Sequence, residues 1–570
     1  MSTWALHAHR DPVPPGVAAA RQHSARREAA ADGSAAPPPR EGSDRSAPVP
    51  APVPAAGAAP APGLREQIGF VAMVFGMFMA ILDIQIVSSS LSEIQAGLSA
   101  SADEIAWVQT SYLIAEVVMI PLSGYLSRLL STRYLFVASA TTFTMMSFAC
   151  AWAWDIHSMI FFRALQGFCG GAMIPTVFAT SFMLFPGSRR AGVSVVIGLV
   201  ATMAPTIGPT LGGYLTQTFS WHWLFLINVV PGVLTATSVW LLIDIDRPNL
   251  ALLKGFDAAG LVLMALFLGP MEYVLEEGAR WDWLDDETVR TMAVVGTVSG
   301  VLFLWRVLTH HNPIVELRAF ADRNFAVGSI FSFVLGIGLY GSVYILPLYL
   351  ARVRGFNSLQ IGELMVVTGA FQFVSAPLAG ILSKKLDLRL MLAIGLALFG
   401  IGVYLTTTMN AEWGFWEFFL PQMLRGISLM LCFLPINTLA LGTLSPEKLK
   451  NASGLYNLTR NLGGAIGLAG INTVITMRSQ LHWSRLVEHV NPATPGVQAW
   501  LDTLSARFAT VLPGDPDQAA AKRLADIINR EATVMTLNDC LLLMALVFGC
   551  ALLLMPLVRK PRIAGAGGGH

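Results

Sequence analysis

Residues 192–215 read GVSVVIGLVATMAPTIGPTLGGYL, a run of 24 residues without a charged side chain. At a rise of about 1.5 Å per residue, a helix of this length crosses a hydrocarbon core of roughly 30 Å. Pro205 and Pro209 each remove a backbone donor and bend such a helix. The stretch therefore predicts a bent membrane helix at a gate. Its small residues at a spacing that favours close helix packing are Gly208, Gly212 and Gly213.

The rest of the chain repeats this pattern from residue 67 onward, where apolar runs near 20 residues long alternate with short polar breaks. Only helices satisfy their backbone groups over such lengths in lipid without closing into a barrel. Fourteen spans are predicted, at 69–91, 105–126, 134–154, 159–185, 192–215, 224–245, 257–275, 288–308, 324–349, 361–382, 390–408, 418–441, 454–477 and 536–558.

Composition supports this class. Of the 570 residues, 54% are hydrophobic and only 13% are charged, against about a quarter charged in an average soluble domain. The net charge of +1 gives no field that would attract nucleic acid. The five cysteines fall in apolar runs without paired or metal-ligand spacing. We therefore predict an all-α polytopic membrane protein without a disulfide framework, a metal site or a catalytic residue set, and not an enzyme.

Loop charge predicts the orientation. With the N-terminus inside, the short inner loops carry thirteen Lys and Arg residues and the short outer loops carry three, as the positive-inside rule requires. Both termini are then cytoplasmic. The predicted organisation is a disordered Pro/Ala-rich tail (1–66), a six-helix bundle (67–246), two additional helices with their loops (247–323), a second six-helix bundle (324–560) and a cytoplasmic C-tail (561–570).

Two polar segments flank or interrupt this membrane region. Residues 1–64 hold 12 of the 32 prolines, so they bury too little apolar surface to fold, and a mis-assigned start codon is the alternative interpretation. The external segment 478–535 has helix-like spacing at 497–511 and 518–532, between turn signals. It is predicted to project two short helices outward, and a passive linker is the alternative.

Charged side chains inside spans are functional candidates, because each costs about 2.5–3.5 kcal/mol at mid-bilayer on insertion scales. By helical rise, Asp83 lies about 21 Å from the inner face and Arg163 about 6 Å from the outer face, so both have similar depth in a core of roughly 30 Å. Glu116 falls near the midplane. We predict proton coupling for these three residues, with a structural brace as the alternative for Asp83 and Arg163.

Other polar side chains in the spans receive different roles. Glu272 in span 7 is predicted to face the outer interface rather than a site. Arg425 and Arg460 are predicted to be structural charges. The predicted substrate cavity is lined by Gln85, Glu116, Gln166, Asn437 and Asn457.

Several motifs together resemble the major facilitator superfamily. The run 204–213 is similar to its antiporter signature G-x-x-x-G-P-x-x-G-G, with Ala204 in place of the first glycine. Arg163, Gln166 and Gly167 resemble the span 4 signature. Three runs, LDIQIV at 82–87, WHWLFLINV at 221–229 and ASGLYNLTRN at 452–461, resemble the fourteen-span drug:proton antiporter family of EmrB/QacA type, and HVNP at 489–492 fits its EmrB branch.

The resemblance covers about 67–560 and implies a major facilitator fold of two six-helix bundles plus two central helices. It implies proton-driven export of small amphiphilic toxic compounds by alternating access, with no cofactor besides the proton gradient. It also implies an inner-membrane pump working with an EmrA-type periplasmic adaptor, contacted through 478–535, and a TolC-like outer-membrane channel. One motif departs from the pattern. The loop after span 2 carries Arg128 where the superfamily has an acidic residue, so its usual charge latch is not expected.

Two rival functions remain at this stage. The first is a dedicated exporter of one endogenous product, such as a siderophore or signal, which competition by unrelated drugs would separate from a multidrug pump. The second is a non-transporting membrane sensor or scaffold that uses 478–535 as a receptor. The intramembrane charges and the signature at 204–213 argue against it, because a scaffold has no use for them.

Overall fold

The computed structural model describes residues 62–101, 103–185, 187–490, 494–510 and 515–559. Within these ranges every regular element is a helix, which confirms the predicted all-α class. The predicted tail 1–66 lies outside the described residues up to residue 61, and residues 64–66 form the first turn of a helix instead. The predicted C-tail 561–570 lies outside them entirely.

The N-terminal helices begin at capped positions. The Asp155 side chain, for example, accepts a 2.8 Å hydrogen bond from the Ser158 backbone N–H at the start of one helix, which satisfies a donor that the helix itself leaves free. These helices are α1 (Leu64–Ser88), α2 (Leu91–Leu98), α3 (Trp107–Leu130), α4 (Thr132–Ala151), α5 (Ile156–Leu184), α6 (Gly187–Thr218), α7 (Trp223–Leu226) and α8 (Val229–Leu242).

The remaining helices follow after a short 3₁₀ turn at Leu250–Gly255. Asp322 and Asn357 cap two of them, and Pro495 and Pro516 stand at first-turn positions where a missing N–H costs little. These helices are α9 (Ala258–Glu277), α10 (Glu287–Thr309), α11 (Arg323–Arg352), α12 (Ser358–Lys385), α13 (Leu388–Thr406), α14 (Phe415–Leu441), α15 (Pro446–His489), α16 (Pro495–Phe508) and α17 (Pro516–Leu553).

In the described part of the chain, thirteen helical segments are long and apolar enough to cross a membrane, with α7 and α8 counted together as the segment Trp223–Leu242. They contain thirteen of the fourteen predicted spans. The other predicted span, 454–477, lies in α15, which is less apolar because it carries residues such as Asn457 and Arg460. Both side chains are buried, and α15 packs among α3, α5, α11 and α17. The polar groups of α15 thus face other helices, and α15 passes through the bundle like the rest.

The spanning helices form two groups. In the first, α1 packs on α5, α6 and α8, α3 packs on α5, and α4 packs on α5 and α8. In the second, α11 packs on α14 and α15, α14 packs on α12 and α13, and α17 packs on α13 and α15. The pair α9–α10 lies beside both groups, because α9 contacts α3 and α15. We call the bundle end where α1 begins the inner end and the other the outer end, following the predicted orientation.

The two groups meet closely at the inner end. A Cβ atom added to Gly124 of α3 would lie 2.8 Å from the Asn451 Cα atom, and one added to Gly454 of α15 would lie 2.9 Å from the Ile120 carbonyl oxygen. Both distances are shorter than a side chain tolerates, so α3 and α15 pack backbone to backbone. The inner end is closed in this conformation.

The polar segment 478–535 differs in part from the prediction. Helix α15 continues to His489, so residues 478–489 extend a spanning helix. The predicted helix at 497–511 is present as α16. The prediction of a separate short helix at 518–532 is wrong, because α17 runs unbroken from Pro516 into the last span. A helix can continue from the membrane into water without a break. The change from apolar to polar composition therefore marks the membrane boundary and not the end of the helix.

Candidate functional site

A buried ion pair lies in the first helix group. Asp83 of α1 and Arg163 of α5 are both fully buried, and the Arg163 Nη1 atom lies 2.5 Å from the Asp83 Oδ2 atom. The two residues predicted to share a depth are therefore in direct contact. Such a pair is tolerated away from water only when further hydrogen bonds satisfy both partners.

Those further bonds come from three helices. The Gln166 side-chain amide donates to Asp83 Oδ1 at 3.1 Å, and the Asn228 amide donates to the same oxygen at 2.7 Å. Arg163 donates from Nε to the Val108 carbonyl at 3.1 Å, and its guanidinium lies 4.3 Å from the Tyr112 ring centroid. Helix α5 and Asn228, the residue just before α8, thus donate to one carboxylate of α1, and α3 contacts its arginine partner. We call Asp83, Arg163, Gln166 and Asn228 the coupling cluster.

The chemistry of this arrangement is that of a carboxylate held in its charged form by donors. Both Asp83 oxygens accept hydrogen bonds from Arg163, Gln166 or Asn228. A proton on either oxygen would turn that oxygen into a hydrogen-bond donor, and the N–H groups facing it are also donors. Protonation therefore breaks contacts that join α1 to α5 and α8. One change of charge can in this way alter how three helices pack.

A cavity of about 560 Å³ opens between the two helix groups toward the outer end. Its walls come from both groups, including Gln85 and Ser88 of α1 and Tyr344 and Asn472 of α11 and α15. A narrower pocket of about 70 Å³ continues from it. Gln109 and Tyr340 are among the residues that line both. The volume is typical of sites for drug-sized ligands.

Four carboxylates line this cavity, and one of them, Glu277 at the end of α9, lines its wide part. Glu116 of α3 and Glu272 of α9 line the narrow part, and Glu276 lines both parts. Gln85 and Glu116 line the cavity, as the sequence predicted. The prediction that Glu272 faces the outer interface is wrong, because only 7% of this residue is exposed and its side chain lines the cavity. Helix α9 packs against α3 and α15, which turns it inward.

The other predicted cavity residues lie elsewhere. Gln166 belongs to the coupling cluster. Asn437 is fully buried and donates to the Ser194 hydroxyl at 3.4 Å. Asn457 donates to the Ser453 carbonyl at 2.8 Å. These three amides do not line either part of the cavity. Gln166 and Asn437 bond to side chains of other helices, and Asn457 bonds to Ser453 and Arg460 within its own helix α15.

Two further arginines are buried without a carboxylate partner in the described part of the chain. Arg425 of α14 donates to the Gln422 side chain at 2.6 Å, and Arg460 of α15 donates to the Asn457 side chain at 2.6 Å. The Arg460 guanidinium also lies 5.4 Å from the Phe178 ring centroid. Both contacts fit the structural role predicted for these residues, which stays a prediction.

The predicted antiporter motif lies where α6 meets both helix groups. A Cβ atom on Gly208 would lie 2.3 Å from the Gln85 Cβ atom, and one on Gly362 of α12 would lie 2.2 Å from Thr210 Cγ2. Pro205 and Pro209 lie inside α6 without ending it. The motif residues that remove side-chain bulk from α6 are Gly208, Gly212 and Gly213.

Ion pairs join the groups at the inner end. Arg128 Nη1 lies 3.0 Å from Glu316 Oε1 in the loop before α11. Lys450 at the start of α15 pairs with Asp246, just after α8, and donates to the Ser127 carbonyl at 2.9 Å. We call these two pairs the inner latch. The charge at Arg128 is opposite to that of the superfamily motif, and an acidic partner from another loop accompanies the change.

Three residues of the candidate site escaped the sequence-based prediction. Asn228 lies in the run 221–229, which carried the resemblance, yet an amide at a span boundary gives no sign that it reaches Asp83. Glu276 lies one helical turn after Glu272 on the same face of the helix. This spacing could have predicted that both carboxylates face the same surroundings. Ser147 accepts from the Asn228 amide at 3.1 Å, and serine is too common in membrane helices to stand out.

A closed inner end, a cavity between two helix groups and a buried charge cluster define a multi-pass membrane transporter of the alternating-access kind. The sequence model of the Major Facilitator Superfamily matches residues 73–468. The chain belongs to this superfamily.

The relatives place it within the EmrB group. It is 44% identical to the colistin resistance protein EmrB of Acinetobacter baumannii, over 84% of this chain and 93% of that protein. It is 29% identical to the multidrug export protein EmrB of Escherichia coli K12, over 90% of this chain and 98% of that protein. These matches confirm the resemblance identified from the motifs.

Solved structures share the fold. The proton:xylose symporter XylE superposes with a TM-score of 0.53 at 12% identity, over 85% of this chain and 94% of that chain. The human organic anion transporter MFSD10 gives a TM-score of 0.52 at 12% identity, over 85% of this chain and 99% of that chain. The predicted major facilitator fold is confirmed.

Proposed function

We propose that this protein is a proton-driven multidrug exporter that moves amphiphilic toxic compounds out of the cell by alternating access. The observation that carries the proposal is the coupling cluster on α1 next to a ligand-sized cavity lined by the same helix. Asp83 belongs to the cluster, and Ile84 and Gln85 line the cavity. A proton that rearranges the packing of α1 would therefore change the cavity directly. The names of the relatives, which include multidrug export proteins, agree with this function.

In this mechanism Asp83 carries the proton. Arg163, Gln166 and Asn228 stabilise its carboxylate and thereby the arrangement of α1 that binds substrate. A proton on Asp83 destabilises this arrangement, so proton and substrate compete. Protonation from the outer side accompanies release of substrate into the outer cavity. Loss of the proton toward the cytoplasm then restores the binding state. Glu116 is the second candidate for coupling, because it lies in the cavity that the substrate would cross.

We further propose that the chain lies in the inner membrane with both termini in the cytoplasm and works with an EmrA-type adaptor and a TolC-like channel. The extension formed by the ends of α15 and α17 together with α16 supports this assignment, because it offers a helical surface beyond the outer end. Replacing residues 494–510 by a Gly/Ser linker should preserve transport in vesicles and abolish resistance in cells. Unchanged resistance would remove the adaptor from the proposal.

Uptake of ethidium into proteoliposomes, driven by a pH gradient, tests the central proposal. The wild type should accumulate ethidium against its gradient, and Asp83→Asn should reduce the rate at least tenfold. Glu93→Gln replaces an exposed carboxylate in α2, just beyond the end of α1 that carries Asp83. It is the matched control and should keep the wild-type rate. Full proton-coupled transport by Asp83→Asn would refute the coupling role. A folded wild type that moves no amphiphile would favour the dedicated exporter of one endogenous product.

A further inference from the structure

The additional helix α9 lies against the substrate cavity. We propose that it forms part of the substrate-binding site and that its Glu272 and Glu276 select organic compounds carrying two separated positive charges. The inference rests on the proposed export function and deepens it by naming a substrate class.

Glu272 and Glu276 lie in the cavity wall. Glu272 and Glu276 lie four residues apart in α9, so they face the same side of the helix. That side faces α3 and α15, and Glu116 of α3 lines the same narrow pocket as the two α9 carboxylates. Helix α9 thus stands in the wall of the cavity between the two six-helix groups.

The carboxylates in the narrow pocket have no partner among the described residues. Among the described residues, no ion pair or hydrogen bond reaches the side chains of Glu116, Glu272 or Glu276, and no Lys or Arg lines either part of the cavity. Glu116 is 3% and Glu272 is 7% exposed. Buried carboxylates are normally paired, so unpaired ones aimed into a cavity indicate that a ligand supplies the charge.

The neighbouring Glu277 shows what an internal partner looks like in the same helix. Its Oε1 atom accepts a 3.1 Å hydrogen bond from the Thr110 hydroxyl, and its Oε2 atom lies 3.7 Å from the Arg280 Nη1 atom. Glu276 and Glu277 are adjacent in α9 and both line the wide part of the cavity, but only Glu276 also lines the narrow part. Partners are therefore available near the end of α9, and Glu277 bonds to them while Glu276 does not.

The shape of the site favours an organic ligand over a metal ion. Nowhere in the described ranges do three or more His, Cys, Asp or Glu side chains approach closely enough to hold a metal. The same walls carry the Tyr340 ring and the apolar side chains of Leu113 and Leu468. A ring attracts an organic cation, and apolar walls suit its hydrocarbon body. Separate carboxylates then match separate positive charges.

Propidium and ethidium test this inference, because they share one ring system and propidium carries an additional quaternary ammonium group. Binding is measured by fluorescence on the full-length protein in nanodiscs, and transport is measured in proteoliposomes. The variant is Glu272→Gln with Glu276→Gln, which keeps the side-chain shape. The matched control is Asp285→Asn with Glu287→Gln, two exposed carboxylates beside the same helix pair.

We expect the double variant to weaken propidium binding at least tenfold and ethidium binding less than threefold, with both unchanged in the control. Retained ethidium binding also shows that the variant is folded, and Glu276→Gln alone replaces it if the double variant is unstable. An equal effect on the two dyes, or none, would overturn the inference while wild-type ethidium transport still supported the proposed function. A wild type that binds and transports neither dye would overturn both.

Discussion

The inner latch can be weakened without touching the coupling cluster or the cavity. Asp246 accepts from the Thr132 backbone N–H at 3.0 Å within its own helix group and also pairs with Lys450 of the other group. Asp246→Asn keeps an oxygen for Thr132 and removes the charge that attracts Lys450. The substitution therefore acts on the contact between the groups, and we expect it to favour opening of the inner end.

The magnitude follows from burial. The side chains of Lys450 and Asp246 are 12% and 19% exposed, so water screens this pair less than an ordinary surface pair. Hydrogen bonds to charged groups contribute about 1.5–3 kcal/mol, and exposed pairs contribute about 0–1 kcal/mol. An intermediate loss of about 1.4 kcal/mol changes the ratio of closed to open protein about tenfold.

A reporter cysteine measures that ratio. Thr176 of α5 is buried near Lys450 and Ser453 at the junction of the groups, so Thr176→Cys should react with N-ethylmaleimide only when the inner end opens. Mass spectrometry of the labelled peptide separates this site from the native cysteines. Asp246→Asn should raise the labelling rate about tenfold, because the rate follows the open population.

Asp244→Asn is the control for this experiment. Asp244 lies two residues away and is 76% exposed, and its partner Arg133, at 3.8 Å, belongs to the same helix group. Its labelling rate should stay within twofold of the wild type. If Asp246→Asn leaves the reporter protected, or if Asp244→Asn exposes it equally, the latch does not hold the inner end closed.

Three further substitutions test the packing. Gly124→Leu should expose the same reporter fully and abolish transport, since a Cβ atom there already lies 2.8 Å from a backbone atom of α15. Gly208→Leu should abolish transport by forcing α6 away from α1, whereas Gly470→Leu, with no neighbouring atom within 4 Å of its Cβ position, should leave transport unchanged. Asn228→Ala removes a 2.7 Å bond to Asp83 and should lower the stability of the protein in nanodiscs by about 1–3 kcal/mol, measured as a lower Tm.

The fold could be predicted from the sequence because the membrane leaves few choices. A run such as 192–215 must be helical in lipid, and its length sets how far it reaches. Depth along a helix follows from the rise per residue, which placed Asp83 level with Arg163 before any contact was known. The prediction succeeded there because two opposite charges at one depth have a strong reason to meet.

The direction that a polar side chain faces could not be predicted in the same way. Asn437 and Asn457 are polar residue types expected in a cavity wall, yet Asn437 bonds to Ser194 of α6 and Asn457 bonds to Ser453 of its own helix. Glu272, in the outer half of span 7, was predicted to face the outer interface, and it lines the cavity instead. Which helices are neighbours depends on side-chain packing across the bundle, and loop lengths do not predict that packing. The rotation of each helix about its own axis therefore could not be predicted from the sequence.

The closed inner end and the intact coupling cluster belong to one state of a cycle. In this state Asp83 is sealed from water and bonded to three side chains, while the cavity beside it is open toward the outer end. In the proposed mechanism a proton reaches Asp83 when α1 moves away from its bonding partners, and that movement also shifts Gln85 in the cavity wall. Because the inner latch opposes opening on the other side, the proposed mechanism couples a proton arriving from the cavity to release outward. A weakened latch would instead let protons pass without substrate, so Asp246→Asn should raise the proton leak of proteoliposomes in parallel with reporter labelling.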